Sequence, residues 1–381
     1  MISYGKHSVN QQDIQAVVDV LENQFLTQGS QVPAFEKALC DYTGAAFCTA
    51  VNSGTSGLHV ACLALGIGKG DIVWTSPNSF AASANCALYC GASVSFVDID
   101  PSTRNMSVEL FLLKLEDARR SNTLPKALVV VHFAGSSCEM ETIRHQCKLH
   151  DIAIIEDAAH ALGAQYNGKP VGGCEFSDLA VLSFHPVKSI TTAEGGAVTT
   201  NNPDLAQQVL LYAKHGITRD NTLMQGDADG PWYYQQLCLG YNYRMSDIQA
   251  ALGISQLARL DEFIVKRRHL VARYLKLLQD LPVRLPLAAD LNTSSWHLFM
   301  IELTEHERAA VYQQLHEKDI AVNVHYIPIH FHPYYQSLGF KQGEYPNAEQ
   351  FYYHALTLPL YVDLTDEQQD YVVSVLHDIL S

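Results

Sequence analysis

Residues 152–160 have the sequence Ile152-Ala153-Ile154-Ile155-Glu156-Asp157-Ala158-Ala159-His160. A continuous apolar run that ends in two acids is typical of a strand buried on both faces, with a polar carboxyl end. The run Leu128-Val129-Val130-Val131 has the same character, and a helical stretch at 139–150 separates the two. This alternation predicts a mostly parallel sheet covered by helices on both faces.

The same alternation extends from about residue 46 to residue 215. The predicted strands are Ala46–Val51, Asp71–Thr75, Ser93–Asp98, Ala127–Phe133, Ala153–Glu156, Ala180–Ser183 and Gly196–Thr200, with further helices at 54–66, 79–90 and 107–120. Sheets of this kind bind ligands at the carboxyl ends of their strands. We therefore predict an α/β fold with a seven-stranded sheet and a ligand site at that edge.

The character of the chain changes after residue 213. Residues 214–245 are irregular, and irregular segments of this length are usually functional or cover another subunit. A long helical region follows, with Ser246 as its predicted N-cap. Beyond it, short strands at Leu298–Leu303 and Ala321–Val324 alternate with amphipathic helices. The predicted division is a large domain at 1–245, a helical connection at 246–282 and a small α+β domain at 283–381.

Composition narrows the functional classes. The net charge of −15 argues against a nucleic-acid-binding protein, which needs a basic face for phosphates. Nine cysteines are scattered without a CxxC pair, which favours a reducing compartment. No run approaches the ~18 apolar residues of a membrane span. We therefore expect a cytoplasmic protein that binds neither nucleic acid nor a membrane.

The segment Asn52-Ser53-Gly54-Thr55-Ser56-Gly57 joins a predicted strand to a helix. Small residues let a ligand approach the backbone, and a helix N-terminus attracts an anion, so Gly54 and Thr55 are predicted to bind a single phosphate. The segment matches neither G-x-x-x-x-G-K-[ST] nor G-x-G-x-x-G, which disfavours a nucleoside triphosphatase or a dinucleotide site. A plain glycine-rich turn is the alternative.

The run Leu182-Ser183-Phe184-His185-Pro186-Val187-Lys188 places one lysine among apolar and small neighbours. Desolvation lowers the pKa of a lysine and makes it a usable nucleophile and base. Asp157 ends an apolar strand, where a carboxylate needs a partner such as a protonated pyridine nitrogen. We predict that Lys188 and Asp157 face each other across pyridoxal phosphate. Taken singly, a surface lysine and a salt-bridged aspartate are the alternatives.

Three more residues are candidates for the same cofactor. His160 is predicted to reach the ring hydroxyl, Ser183 to donate to the phosphate, and Phe80 to stack on the ring. Ordinary core packing is the alternative for Phe80 and His160. The run Val324–His332 holds three histidines, but no acidic or cysteine ligand flanks them, so no metal is expected.

At these residues the chain resembles the type I pyridoxal-phosphate transferases, and among them the DegT/DnrJ/EryC1/StrS sugar aminotransferases. The resemblance covers essentially the whole chain and is carried by Phe25–Gly29, Asn52–Gly57, Glu156–Leu162, Ser183–Gly196, Gly240–Met245, Val324–Pro328 and Leu358-Pro359-Leu360. It implies an aspartate aminotransferase-like fold, pyridoxal 5'-phosphate as cofactor, and a homodimer in which both subunits line each site.

The resemblance also implies a substrate and further site residues. The expected reaction moves an amino group from L-glutamate to C4 of a UDP-linked 4-keto-6-deoxy-N-acetyl sugar. On the family pattern, Asn242 of the partner subunit reaches the cofactor phosphate. The positions expected to meet the nucleotide sugar are Tyr4, Gln24, Phe25, Leu26, Thr27, Asn323, Val324, His325 and Tyr326. Many family members have glutamine in place of His160. Some members replace the lysine with histidine and are dehydratases, so the retained Lys188 favours transamination.

Other functions stay open at this stage. The chain could aminate C3 or C4 of a dTDP- or GDP-linked sugar, because sugar choice depends on loop geometry. It could also be a relative that binds the cofactor without turnover, although Lys188 and Asp157 argue against that. A nicotinamide-dependent sugar epimerase or reductase is disfavoured by the missing G-x-G-x-x-G motif.

Overall fold

The computed structural model describes residues 1–381. The strands are β1 Phe47–Val51, β2 Ile72–Thr75, β3 Ser93–Phe96, β4 Ala127–Val131, β5 Ala153–Asp157, β6 Gln165–Tyr166, β7 Lys169–Pro170, β8 Leu179–Ser183, β9 Gly196–Thr200, β10 Ile217–Thr218, β11 Gln235–Gln236, β12 Val283–Arg284, β13 Phe299–Leu303 and β14 Ala355–Leu358. The helices are α1 Gln11–Asn23, α2 Gln31–Thr43, α3 Gly54–Ala64, α4 Ala82–Tyr89, α5 Val108–Ser121, α6 Met140–Leu149, α7 Pro203–Ala213, α8 Asp247–Leu257, α9 Leu260–Leu277, α10 Arg308–Glu317, α11 Pro333–Ser337, α12 Pro346–His354 and α13 Asp366–Leu380.

Seven strands form the large sheet in the order β1-β9-β8-β5-β4-β2-β3. Neighbouring strands from β8 to β3 pair in parallel, and β9 lies antiparallel between β1 and β8. Every residue of β4 and of β9 is buried, as expected for strands covered on both faces. All seven predicted strands and the mostly parallel arrangement are confirmed.

The predicted helical region after residue 245 is two helices. Ser246 caps α8 through a capping box with Gln249, which confirms the predicted N-cap. The helix ends at Leu257, and α9 begins at Leu260. The irregular segment 214–245 contains only the short ribbon of β10 and β11. No helix in the chain is long and apolar enough to cross a membrane.

The C-terminal part forms a three-stranded antiparallel sheet of β12, β13 and β14. A hydrophobic cluster of 23 buried residues, all from Leu270 onward, joins this sheet to α9, α10 and α13. This separate core supports the proposed small domain at 283–381, with α9 also packed against it.

The predicted strand at Ala321–Val324 is wrong. The amide of Ala321 donates to the carbonyl of Ile2, whereas Asn323 exchanges hydrogen bonds with Thr357. The side chain of Asn323 also accepts from the amide of Val324. Because successive residues are bonded to different segments, no continuous ladder forms.

The N-terminal residues lie against this C-terminal part. Ile2 forms a bridge with Ile320, and the carbonyl of Tyr4 accepts from the amide of Leu360 at 3.0 Å. The first residues of the chain are therefore bound to segments near its other end.

Two glycines allow the start of α3 to lie directly on the large sheet. A Cβ on Gly196, at the start of β9, would lie 2.6 Å from the backbone of Ser53 and Gly54. A Cβ on Gly54 would lie 3.0 Å from the Cβ of Ser183, at the end of β8. Absence of these side chains therefore brings the helix N-terminus against the ends of two strands.

This contact gives a prediction about stability. Gly196→Ala should lower the free energy of unfolding by about 1–3 kcal/mol, because the added methyl overlaps backbone that has little room to move. Urea denaturation followed by circular dichroism measures the change. Gly68→Ala is the control, since its Cβ would have no neighbour closer than 3.9 Å. Equal stability of the two variants would contradict the proposed close contact.

Candidate active site

A cavity of about 450 Å³ lies where β5 and β8 end and α3 begins. Most of the predicted site residues line it: Tyr4, Gly54, Thr55, Phe80, Asp157, His160, Ser183, Lys188, Asn323, Val324, His325 and Tyr326. A larger open groove of about 950 Å³ near α2, β1 and α7 contains none of the predicted residues. The smaller cavity is therefore the candidate active site, because the chemistry-bearing side chains meet there.

Strand alternation separates the two acids at the end of β5. Asp157 lines the cavity, where its carboxylate accepts hydrogen bonds from the Ser83 hydroxyl at 2.6 Å and from the Ala159 amide at 3.2 Å. Glu156 is buried away from the cavity and is bonded to His132 at 2.9 Å and to Ser177. Consecutive strand residues point to opposite faces, so only Asp157 is available to a ligand.

Lys188 lies in the loop after β8, in the wall of the same cavity. Burial lowers the pKa of its amine to about 8, and the nearby negative charge of Asp157 partly opposes that shift. A lysine in this state is in part neutral near pH 8 and can act as a nucleophile or a base. This agrees with the desolvation inferred from its apolar neighbours in the sequence.

The N-terminus of α3 forms another part of the cavity wall. Ser53 caps the helix by accepting from the amide of Ser56, and the first-turn amides of Gly54 and Thr55 lie at the cavity. The first N–H groups of a helix have no partner within it and carry a partial positive charge. Together with the hydroxyls of Thr55 and Ser183, they make a donor set that fits one phosphate.

His160 is held as a neutral imidazole. Burial, followed by the charges of Lys188 and His325, moves its pKa well below the usual range. Its Nδ1 accepts from the amide of Ala134 at 3.3 Å, so the proton lies on Nε2, which is 3.2 Å from the hydroxyl of Tyr326. His160 therefore donates to Tyr326.

Two more histidines lie beside this pair. The rings of His297 and His160 are 4.3 Å apart, and the Nδ1 of His297 is buried without a hydrogen-bond partner. His325 is bonded through Nδ1 to Thr357 at 2.8 Å. Burial and the charge of Lys188 lower the pKa of His325 to about 4. Burial also moves the pKa of His297 well below the usual range, so His160, His297 and His325 are uncharged at neutral pH.

The remaining lining residues form the mouth of the cavity. Phe80 is 61% exposed, so its ring is free to cover a planar ligand, and it lies 6.2 Å from the ring of Tyr326. The ring of Tyr4 lies 5.5 Å from that of His325. An aromatic face beside a carboxylate and an amine suits an aromatic cofactor.

Five predicted residues do not line the cavity in a single chain: Gln24, Phe25, Leu26, Thr27 and Asn242. Phe25 is 78% exposed, and Gln24 bonds to the side chain of Gln31. Asn242 forms a backbone bridge with Lys214. Their roles at the site stay predictions, and that of Asn242 depends on a second subunit.

Two of the three histidines of Val324–His332 are bonded to other side chains. His330 is bonded to Glu349 at 2.9 Å with both side chains buried, and His325 is bonded to Thr357. No group of three possible ligands is arranged to hold a metal ion.

Sequence reasoning missed several lining residues, among them Ser79, Ser83, Glu194 and His297. Ser79 and Ser83 flank Phe80 with the four-residue spacing of one helical face, which is a weak signal that was available. His297 gave no signal, because its approach to His160 is a long-range contact.

The lowered pKa of Lys188 predicts a pH profile. In protein freed of ligand, the rate of covalent capture of an aldehyde such as pyridoxal phosphate should rise with pH and level off above about pH 8. Only the neutral amine attacks, and an ordinary lysine would show a rise continuing to about pH 10.4. Asp157→Asn should move the midpoint to lower pH, because the carboxylate that favours the charged amine is gone. Lys188→Ala is the control for capture elsewhere, and an unmoved midpoint would contradict the coupling.

Comparison with known proteins agrees with this geometry. Residues 7–377 match the DegT/DnrJ/EryC1/StrS aminotransferase family. The chain is 38% identical to a UDP-4-amino-4,6-dideoxy-N-acetyl-beta-L-altrosamine transaminase of Campylobacter jejuni, covering 100% of this chain and 98% of that one. It is 36% identical to the spore coat polysaccharide biosynthesis protein SpsC of Bacillus subtilis, covering 100% and 97%.

Solved structures show the same fold. Helicobacter pylori PseC, an aminotransferase involved in pseudoaminic acid biosynthesis, superposes with a TM-score of 0.89 at 33% identity, covering 100% of this chain and 99% of that chain. Spr1654 from Streptococcus pneumoniae in its PLP-form gives a TM-score of 0.88 at 28% identity, covering 100% of both. The chain therefore belongs to the DegT/DnrJ/EryC1/StrS family and is a sugar aminotransferase of the type I fold that uses pyridoxal phosphate.

Proposed function

We propose that this enzyme transfers the amino group of L-glutamate to C4 of UDP-2-acetamido-2,6-dideoxy-β-L-arabino-hex-4-ulose. The products are UDP-4-amino-4,6-dideoxy-N-acetyl-β-L-altrosamine and 2-oxoglutarate. The observation that carries the chemistry is the meeting of Lys188 and Asp157 in one cavity beside the N-terminus of α3. The sugar and nucleotide are suggested by the similarity to the Campylobacter jejuni transaminase along the whole chain. The cytoplasm is the proposed location.

The residues of the cavity fit pyridoxal phosphate. The amides of Gly54 and Thr55 and the hydroxyl of Ser183 would bind its phosphate, in a cradle that a Cβ on Gly54 would narrow. Asp157 would accept from the ring nitrogen, and Phe80 would cover one face of the ring. The bound cofactor supplies an electron sink for negative charge that develops on a substrate carbon.

Lys188 has two proposed roles. Its amine anchors the cofactor in the resting enzyme, and once released it moves protons at the reacting carbons. With glutamate it takes the proton from the α-carbon, and with the keto sugar it returns a proton to C4. A base works best when its pKa is near the working pH, and burial brings the pKa of Lys188 to about 8.

The other proposed contacts are with the sugar nucleotide and the partner subunit. His160 would face the ring hydroxyl, acting beside Tyr326, to which it is bonded. The residues proposed to meet the UDP sugar are Tyr4, Gln24, Phe25, Leu26, Thr27, Asn323, Val324, His325 and Tyr326. Asn242 of each subunit would reach the cofactor phosphate in the other, which makes the homodimer the working unit.

The role of Lys188 predicts a clear loss of function. Lys188→Ala should lower turnover at least about 10³-fold, within the range for removing a catalytic base, and should lose the absorbance of covalently anchored cofactor. Circular dichroism and thermal unfolding should remain those of a folded protein. Turnover near that of the unchanged enzyme would refute the assignment.

The proposed substrate is tested by product identification. Enzyme loaded with cofactor is mixed with excess L-glutamate and, one at a time, with a panel of UDP-, dTDP- and GDP-linked 3-keto and 4-keto sugars, and the products are analysed by NMR. We expect the highest kcat/KM for the UDP-linked 4-keto-6-deoxy-N-acetyl sugar, with the new C–N bond at C4. Preference for another nucleotide or for C3 would correct the substrate while keeping the reaction class.

Shared active sites are tested with mixed dimers. Lys188→Ala and Asn242→Trp chains carrying different tags are co-expressed and purified through both tags, so that only heterodimers remain. Each heterodimer should have one intact site of two, giving about half of the unchanged turnover. The two variant homodimers are the controls and should be nearly inactive. An inactive heterodimer would place both residues of a site in the same chain.

A further inference from the structure

Asp157 is the end of a directed chain of hydrogen bonds. The Ser83 hydroxyl lies 2.6 Å from Oδ2 of Asp157, and the Ser79 hydroxyl lies 2.7 Å from that of Ser83. An ionised carboxylate can only accept, so the single proton of Ser83 points to Asp157. Ser83 therefore accepts from Ser79, and the order of donation is Ser79 to Ser83 to Asp157.

The chain is almost completely buried in the cavity wall. Ser79 is 4% exposed, Ser83 1% and Asp157 6%. Hydrogen bonds in such surroundings reinforce one another, and a group left unpaired there is strongly unfavourable. Removal of either hydroxyl therefore leaves its buried neighbour with one hydrogen bond fewer.

The two serines belong to the segment that also carries Phe80. Ser79 precedes α4, and Ser83 lies in its first turn, four residues later, which places both hydroxyls on one side. Phe80 stands between them at the cavity wall. One short segment thus supports Asp157 and presents the aromatic ring proposed to cover the cofactor.

The remaining donor to Asp157 is the amide of Ala159, at 3.2 Å from Oδ1. These two donors leave the carboxylate with acceptor sites for a further hydrogen bond from a donor in the cavity. Because both bonds fix the orientation of the carboxylate, they also fix the direction in which it can accept that further bond.

We propose that Ser83, supported by Ser79, is a positioning residue that holds the Asp157 carboxylate in the orientation in which it accepts a hydrogen bond from the protonated ring nitrogen of the cofactor. This rests on the proposed contact between Asp157 and that nitrogen. Ser83 touches Asp157 and acts on the reaction through it. Protonation of the ring nitrogen is what makes the cofactor an effective electron sink.

The test uses the full-length enzyme reconstituted with cofactor labelled with ¹⁵N in the ring. The ring-nitrogen chemical shift, the Kd of the apoprotein for pyridoxal phosphate, and kcat and KM for the sugar are measured for each variant. Ser83→Ala should move the shift toward that of a neutral pyridine. It should also lower kcat about tenfold to a hundredfold, the range for losing one hydrogen bond to a charged group, with KM little changed.

Three further variants make the result specific. Ser79→Ala keeps the bond to Asp157 and should give a smaller change in the same direction. Ser83→Thr keeps the hydroxyl and should give the same ring-nitrogen shift as the unsubstituted enzyme. Ser76→Ala removes another fully buried serine of the same loop, one that accepts from Asn78 and makes no bond to Asp157. It should leave all three measurements unchanged.

Asp157→Asn separates failure of this inference from failure of the proposed function. If Asp157→Asn alters the ring-nitrogen shift and both Ser83→Ala and Ser79→Ala leave it unchanged, Asp157 works without the serines and the inference is wrong. If Asp157→Asn also leaves the shift unchanged, the proposed contact with the ring nitrogen is wrong. If Ser83→Ala does not fold, the graded effect of Ser79→Ala decides the matter.

Discussion

The amine of Lys188 and the carboxylate of Asp157 line the same cavity, and the buried charge of either one would be unfavourable without the other. Burial pushes the amine of Lys188 toward its neutral form, while the charge of Asp157 pulls it back, leaving a pKa of about 8. Asp157 in turn is stabilised by Ser83 and the amide of Ala159. This balance yields a reactive amine without an uncompensated buried charge.

The large sheet makes the balance possible by bringing distant parts of the chain to one edge. Asp157 ends β5 and Ser183 ends β8, and the N-terminus of α3 lies against the end of β8 and the start of β9 through the close approaches at Gly54 and Gly196. Parallel strands end at a common edge, so residues far apart in sequence converge without special loops. Loops from the C-terminal part then cover the opening with Tyr326 and its neighbours.

Much of the fold could be predicted because its signals lie within short stretches of sequence. Each buried strand is a short apolar run, and the cap at Ser246 depends on four consecutive residues. The antiparallel position of β9 between β1 and β8 could not be predicted, because strand order depends on pairing between distant segments. Ala321–Val324 failed for the same reason: its apolar pattern is that of a strand, but its partners are two unrelated segments.

The site residues also divide into those with a local sequence signal and those that depend on long-range contacts. Asp157 ends a buried strand, and Lys188 and Gly54 come soon after strands, so the sequence pattern places all three near strand ends. They meet in the cavity. The bond from Ser83 to Asp157 and the approach of His297 to His160 are long-range contacts with no local signature. Phe25 and Asn242 lie outside the cavity of one chain, so their roles at the site remain predictions.

The hydrogen bond between Tyr4 and Leu360 has a consequence for the order in which the protein is made. Tyr4 can form this bond only after residue 360, more than 350 positions later in the sequence, has been synthesised. The sheet and its strand ends can form during synthesis, since they are complete by residue 200. The part of the cavity wall that includes Tyr4 cannot form until residue 360 has been synthesised. A chain stopped short of residue 360 would thus contain every cofactor-binding residue proposed for the sheet and still have an open site.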